Sequence, residues 1–145
     1  MTIHDFDMVR FYLGNDEIKE IFATASNISS KKFNDIKDYE LATCILKSKT
    51  GVICTINNSR HYKYGYDQRI EVFGSKGCLI SENKKKYNFF IDRYKTAYKL
   101  QLQDLVNLAN KNKKPRASFI DGEKALLLAN AAYKSLSSKK VIKIR

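Results

Sequence analysis

The sequence predicts an α+β fold, a largely antiparallel β-sheet with helices packed on one face. Two observations carry that expectation. Strand-like segments cluster between Ile18 and Ser81, joined by short turns that contain glycine, whereas helical periodicity is confined to the first residues and to the stretch after Ile91. Strands segregated from helices in this way make antiparallel neighbours, and such a sheet keeps one face for the core and leaves the other for polar cover or a partner subunit. Length and composition agree with one soluble domain spanning residues 1–145: 43% of residues are hydrophobic, 29% are charged and Pro115 is the single proline. A chain of this size buries roughly two-thirds of the surface that its unfolded form exposes.

The elements follow in order. Phe6, Val9, Tyr12 and Leu13 recur at helical spacing after Ile3, Thr2 with Asp5 reads as a capping box, and Gly14 is a natural stop. Ile18 to Ser26 reads as a strand and Asn27 to Asp38 as a polar loop. Tyr39 to Lys47 and Val52 to Asn58 read as two strands joined by SKTG, whose Gly51 suits a hairpin. Arg69 to Phe73, a tight GSKG turn and Cys78 to Ser81 repeat that logic. The period then changes: Tyr94, Ala97, Tyr98, Gln101, Leu102, Leu105, Val106 and Ala109 place a core-facing stripe on a long helix from Ile91 to Asn110. After Pro115, Asp121 is positioned to cap a second helix whose buried face is Ala125, Leu128, Ala129, Ala132, Tyr133 and Leu136. A final strand is expected at VIKI.

Several function classes lack a signal. The net charge of +12 comes from 27 Lys and Arg spread along the chain, with runs only where loops or element ends are expected, so it reads as a solvated surface and not as a nucleic-acid footprint. Cys44, Cys54 and Cys78 are odd in number, sit in apolar runs and show no C-x-x-C spacing, which reads as small buried hydrophobes in a reducing compartment. No leader pattern and no long apolar run is present, so a cytoplasmic protein without membrane contact is expected. Gly74 and Gly77 precede a strand, and no G-x-G-x-x-G or G-K-[ST] occurs, so no phosphate-binding loop is expected. Two histidines, His4 and His61, far apart in sequence, give no argument for a metal.

The chemistry-bearing residues lie at the start. His4 stands in the first turn of the first helix with Asp5 and Asp7 close by; Asp5 reads as a helix-start charge favoured by the dipole, and Asp7 reads equally well as that or as a ligand-binding group. His61 stands beside Arg60 in a loop and reads as solvent-facing.

The stretches IHDFDMVRF, NNSRHYKYGYDQRIEVFGSKG, RYKTAYKLQLQDLV and DGEKALLLANAAYKSL resemble, in order and spacing, the C-terminal domain of inositol 2-dehydrogenases in the glucose-fructose oxidoreductase and inositol dehydrogenase family. The resemblance extends over nearly the whole chain, with YGYDQR-E-FGSKG its most specific part. It implies an α+β substrate domain that in the family follows an N-terminal Rossmann domain holding NAD(P), covers the nicotinamide and builds a homo-oligomer through its sheet. It further implies that His4 is the catalytic imidazole that takes the proton from a cyclic polyol's hydroxyl. Asp7 would accept hydrogen bonds from other hydroxyls, and Tyr64 and Tyr66 would line the sugar pocket, where a flat apolar face with a phenolic tip suits a ring.

The family's aspartate four residues before the histidine would fall just ahead of Met1, and its lysine in the Rossmann domain. The resemblance therefore implies that this chain alone binds no cofactor and oxidises nothing until joined by a separate Rossmann domain. The sequence departs from the family at two points. Only KKKYNFFID stands between SEN and RY, where relatives carry an extra strand-like stretch, so the sheet is expected to lack a strand or hairpin there; and Gln101 replaces a common glutamate. The alternative is a non-catalytic, self-associating module that keeps the fold without the chemistry.

Overall fold

A computed structural model describes residues 2–29, 32–111 and 114–144. In chain order its elements are α1 (Ile3–Leu13), β1 (Ile18–Ser26), α2 (Lys32–Asp35), β2 (Leu41–Ser48), β3 (Ile53–Ser59), β4 (Ile70–Gly74), β5 (Gly77–Ser81), α3 (Phe90–Lys111), α4 (Phe119–Ser138) and β6 (Ile142–Lys143). Antiparallel sheets accompanied by helices make the α+β class expected from the sequence. The chain divides into two compact units, residues 1–60 with 117–145, and residues 61–116.

In the first unit four strands lie in the order β3-β2-β1-β6, every neighbour antiparallel. The meander arises because alternating small and branched residues put one set of side chains on a single face: Ile21 and Ala23 of β1, Cys44 and Leu46 of β2 and Ile56 of β3 are all buried. Phe6 of α1 and Leu128 and Ala132 of α4 close that face, so both helices pack on the same side of the sheet. Phe6, Ile21 and Leu46 are fully buried and each stabilises the fold by roughly 1.5–3 kcal/mol. The opposite face carries the register row Phe22, Ile45 and Thr55, with Ile45 exposed. Strand β6 pairs only with Glu20 and Ile21, so the N–H of Ala23 donates instead to the buried Ser135 hydroxyl of α4 at 2.9 Å.

Several expectations about detail are corrected. Thr2 has helical backbone angles and makes no side-chain cap bond, because Asp5 turns towards β3 and leaves the expected capping box unmade. In α4 the N-cap is Ser118 and not Asp121: the Ser118 N–H and hydroxyl both donate to the Asp121 carboxylate at 2.8 Å, which puts Asp121 one turn inside the helix. Tyr133, read as part of a buried face, is about half exposed, as is Tyr12 at its helical spacing on α1, so both helices bury narrower stripes than the periodicity suggested. The expected loop at Asn27–Asp38 holds the short helix α2, with residues 30 and 31 outside the described residues.

In the second unit β4 and β5 pair through the Gly74–Gly77 turn, and a connection without strands, apart from an isolated bridge between Tyr66 and Tyr87, leads to α3. The shortened segment before α3 thus carries no strand among the described residues. The α3 stripe is not core: Tyr98, Leu102, Leu105 and Val106 are exposed, since periodicity marks the apolar side of a helix and a two-stranded hairpin has little surface with which to cover it. The same sparseness leaves Cys78 of β5 exposed, whereas Cys44 is buried as expected and Cys54 is partly so.

Candidate functional site

The first group of candidate residues lies on α1. Along its first turns the side chains are dealt alternately to interior and surface: Phe6 fills the core, Asp5 is half-buried against β3, and His4 is exposed. The turn is pinned by the backbone N–H groups of Asp5 and Phe6, which both donate to the Thr2 carbonyl, at 3.0 and 3.1 Å. His4 and Asp7, three residues apart, are neighbours on the helix surface. Asp7 keeps half of its side chain open while its Oδ1 accepts from Arg10 Nη1 at 3.1 Å. Arg10 in turn donates to the Asp121 carbonyl at 3.0 Å and, through Nη2, to Asp121 Oδ1 at 2.9 Å, tying α1 to α4. The face therefore presents an imidazole and a carboxylate on a helix held from behind.

Charge is set differently on the two acids that anchor this helix. Burial pushes Asp5 above the usual aspartate range, against the lowering effects of the Asn58 hydrogen bond and of the His4 imidazole. The Ser118 backbone N–H, followed by Arg10, holds Asp121 well below that range. Cys44, also facing Asp5, is pushed up to about 11, by burial first and by the Asp5 charge second, and is thereby kept a neutral, inert thiol.

The second group lies in the other unit, in the loop Tyr62–Arg69. Gly65 adopts a φ of +99°, and a Cβ there would sit 2.2 Å from the Tyr87 carbonyl oxygen, so only glycine fits. That close approach lets the Tyr66 N–H donate to the same carbonyl at 2.6 Å, while the Tyr66 carbonyl accepts from Asn83 at 2.7 Å. The Tyr66 ring meets Tyr94 edge to face at 5.8 Å, and their hydroxyls lie 3.2 Å apart. Tyr64 is exposed, edge to face with Tyr62 at 5.8 Å, and the Lys86 ammonium stands 5.0 Å from its ring centre. Tyr62, Tyr64, Tyr66, Asp67 and Lys86 border an open cleft of about 380 Å³.

Of the residues singled out from the sequence, His4 and Asp7 thus share one helix face in the first unit, and Tyr64 and Tyr66 share one loop in the second. His61 is exposed, as expected. Sequence reasoning passed over Asn58, whose contact with Asp5 joins residues 53 positions apart. It also passed over Tyr94, whose place in the helical stripe marked it as core when its ring and hydroxyl serve Tyr66. The glycine between two tyrosines was the one local signal of a close backbone approach. Among the described residues no cluster of His, Cys, Asp and Glu could hold a metal ion.

Known proteins share this fold. A family model described as the GFO/IDH/MocA C-terminal domain matches residues 1–80. Myo-inositol 2-dehydrogenase of Thermotoga maritima is 38% identical, over 99% of this chain and 48% of its own length. The crystal structure of a myo-inositol dehydrogenase from Corynebacterium glutamicum superposes with a TM-score of 0.94 at 35% identity, covering 100% of this chain and 48% of that one. A scyllo-inositol dehydrogenase from Lactobacillus casei, solved with bound NAD(H) and scyllo-inositol, shares the fold with a TM-score of 0.88 at 20% identity, over 99% of this chain and 46% of its own. The class is that of α+β C-terminal domains of oxidoreductases. Within it the chain belongs to the GFO/IDH/MocA C-terminal domain family, and it spans about half the length of the inositol dehydrogenases it matches.

Proposed function

We propose that this chain is the substrate-contacting half of an inositol-2-dehydrogenase-type oxidoreductase acting on a cyclic polyol or sugar. Its likeness over 99% of its length to a myo-inositol 2-dehydrogenase carries the reading. The exposed His4 and the half-open Asp7 support it as the groups that would meet the polyol.

In this reading the His4 imidazole, a side-chain type that exchanges protons near neutrality, takes the proton of the hydroxyl being oxidised. Asp7 accepts a hydrogen bond from a neighbouring hydroxyl, with Arg10 fixing its other side. For Tyr64 and Tyr66, in the second unit, the assignment to the sugar pocket rests on the family resemblance alone. A nicotinamide dinucleotide would take up the hydride, and nothing in this sequence is built to hold its pyrophosphate: there is no G-x-G-x-x-G turn, and the sheets are antiparallel. The cofactor belongs to a separate Rossmann domain.

The test is complementation. This chain is mixed with, or fused to, the NAD-binding half of the Thermotoga maritima relative, and myo-inositol-dependent NADH absorbance is followed. Signal that disappears in His4→Gln supports the reading, and folded chimaeras that yield none with myo- or scyllo-inositol overturn it. The open outer face of the four-stranded sheet favours a second reading, a self-associating module without chemistry. Assembly without complementation would select it.

A further inference from the structure

We infer that Arg10 and Asp121 are positioning residues that hold Asp7 with one carboxylate oxygen taken and the other free to accept from a substrate hydroxyl, an inference resting on the reading of Asp7 as a group that meets the polyol. The chain of contacts begins on α4. Asp121 Oδ2 accepts from the Ser118 N–H and hydroxyl, each at 2.8 Å, and Oδ1 accepts from Arg10 Nη2 at 2.9 Å, so both oxygens of that carboxylate are used. Arg10 Nη1 donates to the Asp121 carbonyl at 3.0 Å and to Asp7 Oδ1 at 3.1 Å. Among the described residues no hydrogen bond reaches Asp7 Oδ2.

A charge pair three residues apart on a helix is commonplace, and between two mobile, exposed side chains it fixes little. This one differs in what lies behind it. The Arg10 side chain is only 19% exposed, and its two Nη atoms grip the backbone carbonyl and the carboxylate of one residue, which fixes the plane of the guanidinium. Helix α4 is itself seated through Leu128 and Ala132 in the core that holds Phe6 of α1. Asp7 thus accepts from a donor already in place, while half of its side chain stays open.

One guanidinium here faces two carboxylates, so a surplus of negative charge is left on the open side of Asp7. A carboxylate oxygen accepts and has nothing to donate. It therefore favours a substrate that presents a hydroxyl at that place, and a ring carrying hydrogen or an ether oxygen there forms no such bond. Anchoring α1 to α4 needs only the two bonds from Arg10 to Asp121; the third, to Asp7, serves the open carboxylate. A lysine would keep the charge and lose the fork that makes all three. Neither Arg10 nor Asp121 touches substrate in this account, and both act through Asp7.

The test reads the Asp7 rotamer from NMR couplings across χ1 in the isotope-labelled full chain, in the unaltered protein, Arg10→Lys and Asp121→Ala. A helical backbone leaves such a side chain more than one χ1 well. Asp7 should occupy a single well in the unaltered protein and average between wells in both variants, with amide spectra otherwise native. A single, unmoved well in natively folded Arg10→Lys overturns the inference, and that variant keeps the test open should Asp121→Ala fail to fold. In the complemented enzyme Arg10→Lys should raise KM for myo-inositol about tenfold or more with a smaller change in kcat, and this penalty should vanish when Asp7→Ala is already present. A penalty undiminished in that background would assign Arg10 to the fold and overturn its positioning role. The rotamer needs no cofactor: a freed Asp7 without any complementation would count against the proposed function and leave the positioning pair standing, and complementation with an unmoved rotamer would do the reverse.

Discussion

At the scale of single residues, two aspartates on the buried side of the α1 anchor should respond to acid in opposite ways. Asp121 is lowered by the Ser118 N–H and by Arg10, so its folded form binds fewer protons than the unfolded chain; stability that it lends above the ordinary aspartate value is lost as the pH falls towards its depressed one. Asp121→Asn should therefore flatten the acid limb of the unfolding curve below about pH 4, read by thermal melts across that range. Asp5 is raised by burial, so the folded state holds its proton longer and stability falls as the pH climbs from the ordinary value to the raised one. Asp5→Asn should match or exceed the unaltered chain in stability at neutral pH and lose that advantage below about pH 4, in the same melts. The exposure of His4 and the neighbouring place of Asp7 follow from local signals, an imidazole in a first turn and a helical spacing, whereas the close backbone approach at Gly65 was not read although a glycine inside an aromatic run signals it. The bond from Asn58 to Asp5 was not legible, because the two are distant in sequence and no local pattern names such a partner.

At the scale of elements, the first helix and the strands β1 to β5 could be read almost to the residue, since alternation and turn glycines are properties of neighbouring positions. What escaped was anything decided by the partner an element finds. The α4 stripe containing Leu128 and Ala132 is buried because β1 lies beneath it; the equally regular α3 stripe containing Leu102 and Leu105 is exposed. Ser135, polar and unremarked in the sequence, is fully buried because it both receives the Ala23 N–H and donates to the Lys140 carbonyl at 2.7 Å. Ser135→Ala should leave that buried N–H unmet and destabilise the first unit by about 1–3 kcal/mol. Leu128→Ala, which opens a cavity under α4, should cost about 2–5 kcal/mol. Urea unfolding measures both, and if Ser135→Ala proved neutral, Ala23 would have to be satisfied in some other way.

At the scale of the whole chain, the net charge of +12 and the exposed outer face of the four-stranded sheet make opposing demands on association. We expect copies of the chain to meet through the row Phe22, Ile45 and Thr55, because a sheet face bearing exposed Ile45 and Ile53 is a poor surface to leave in water. Positive charge on both copies resists that encounter, and dissolved salt screens it over a Debye length of about 8 Å at 0.15 M. Self-association should therefore strengthen as salt is raised, the reverse of nucleic-acid binding, which weakens as salt competes for the phosphates. Sizing chromatography across a salt series measures this directly: assembly that grows with salt and is abolished by Ile45→Glu, with the circular dichroism unchanged, would place the interface on that face. A monomer at every salt concentration would remove the sheet from the account, and steep loss of retention on a DNA column as salt rises would reopen the electrostatic reading of the lysines. The two outcomes differ in the sign of one slope, because the hydrophobic contact is opposed by the protein's charge and the nucleic-acid contact is made by it.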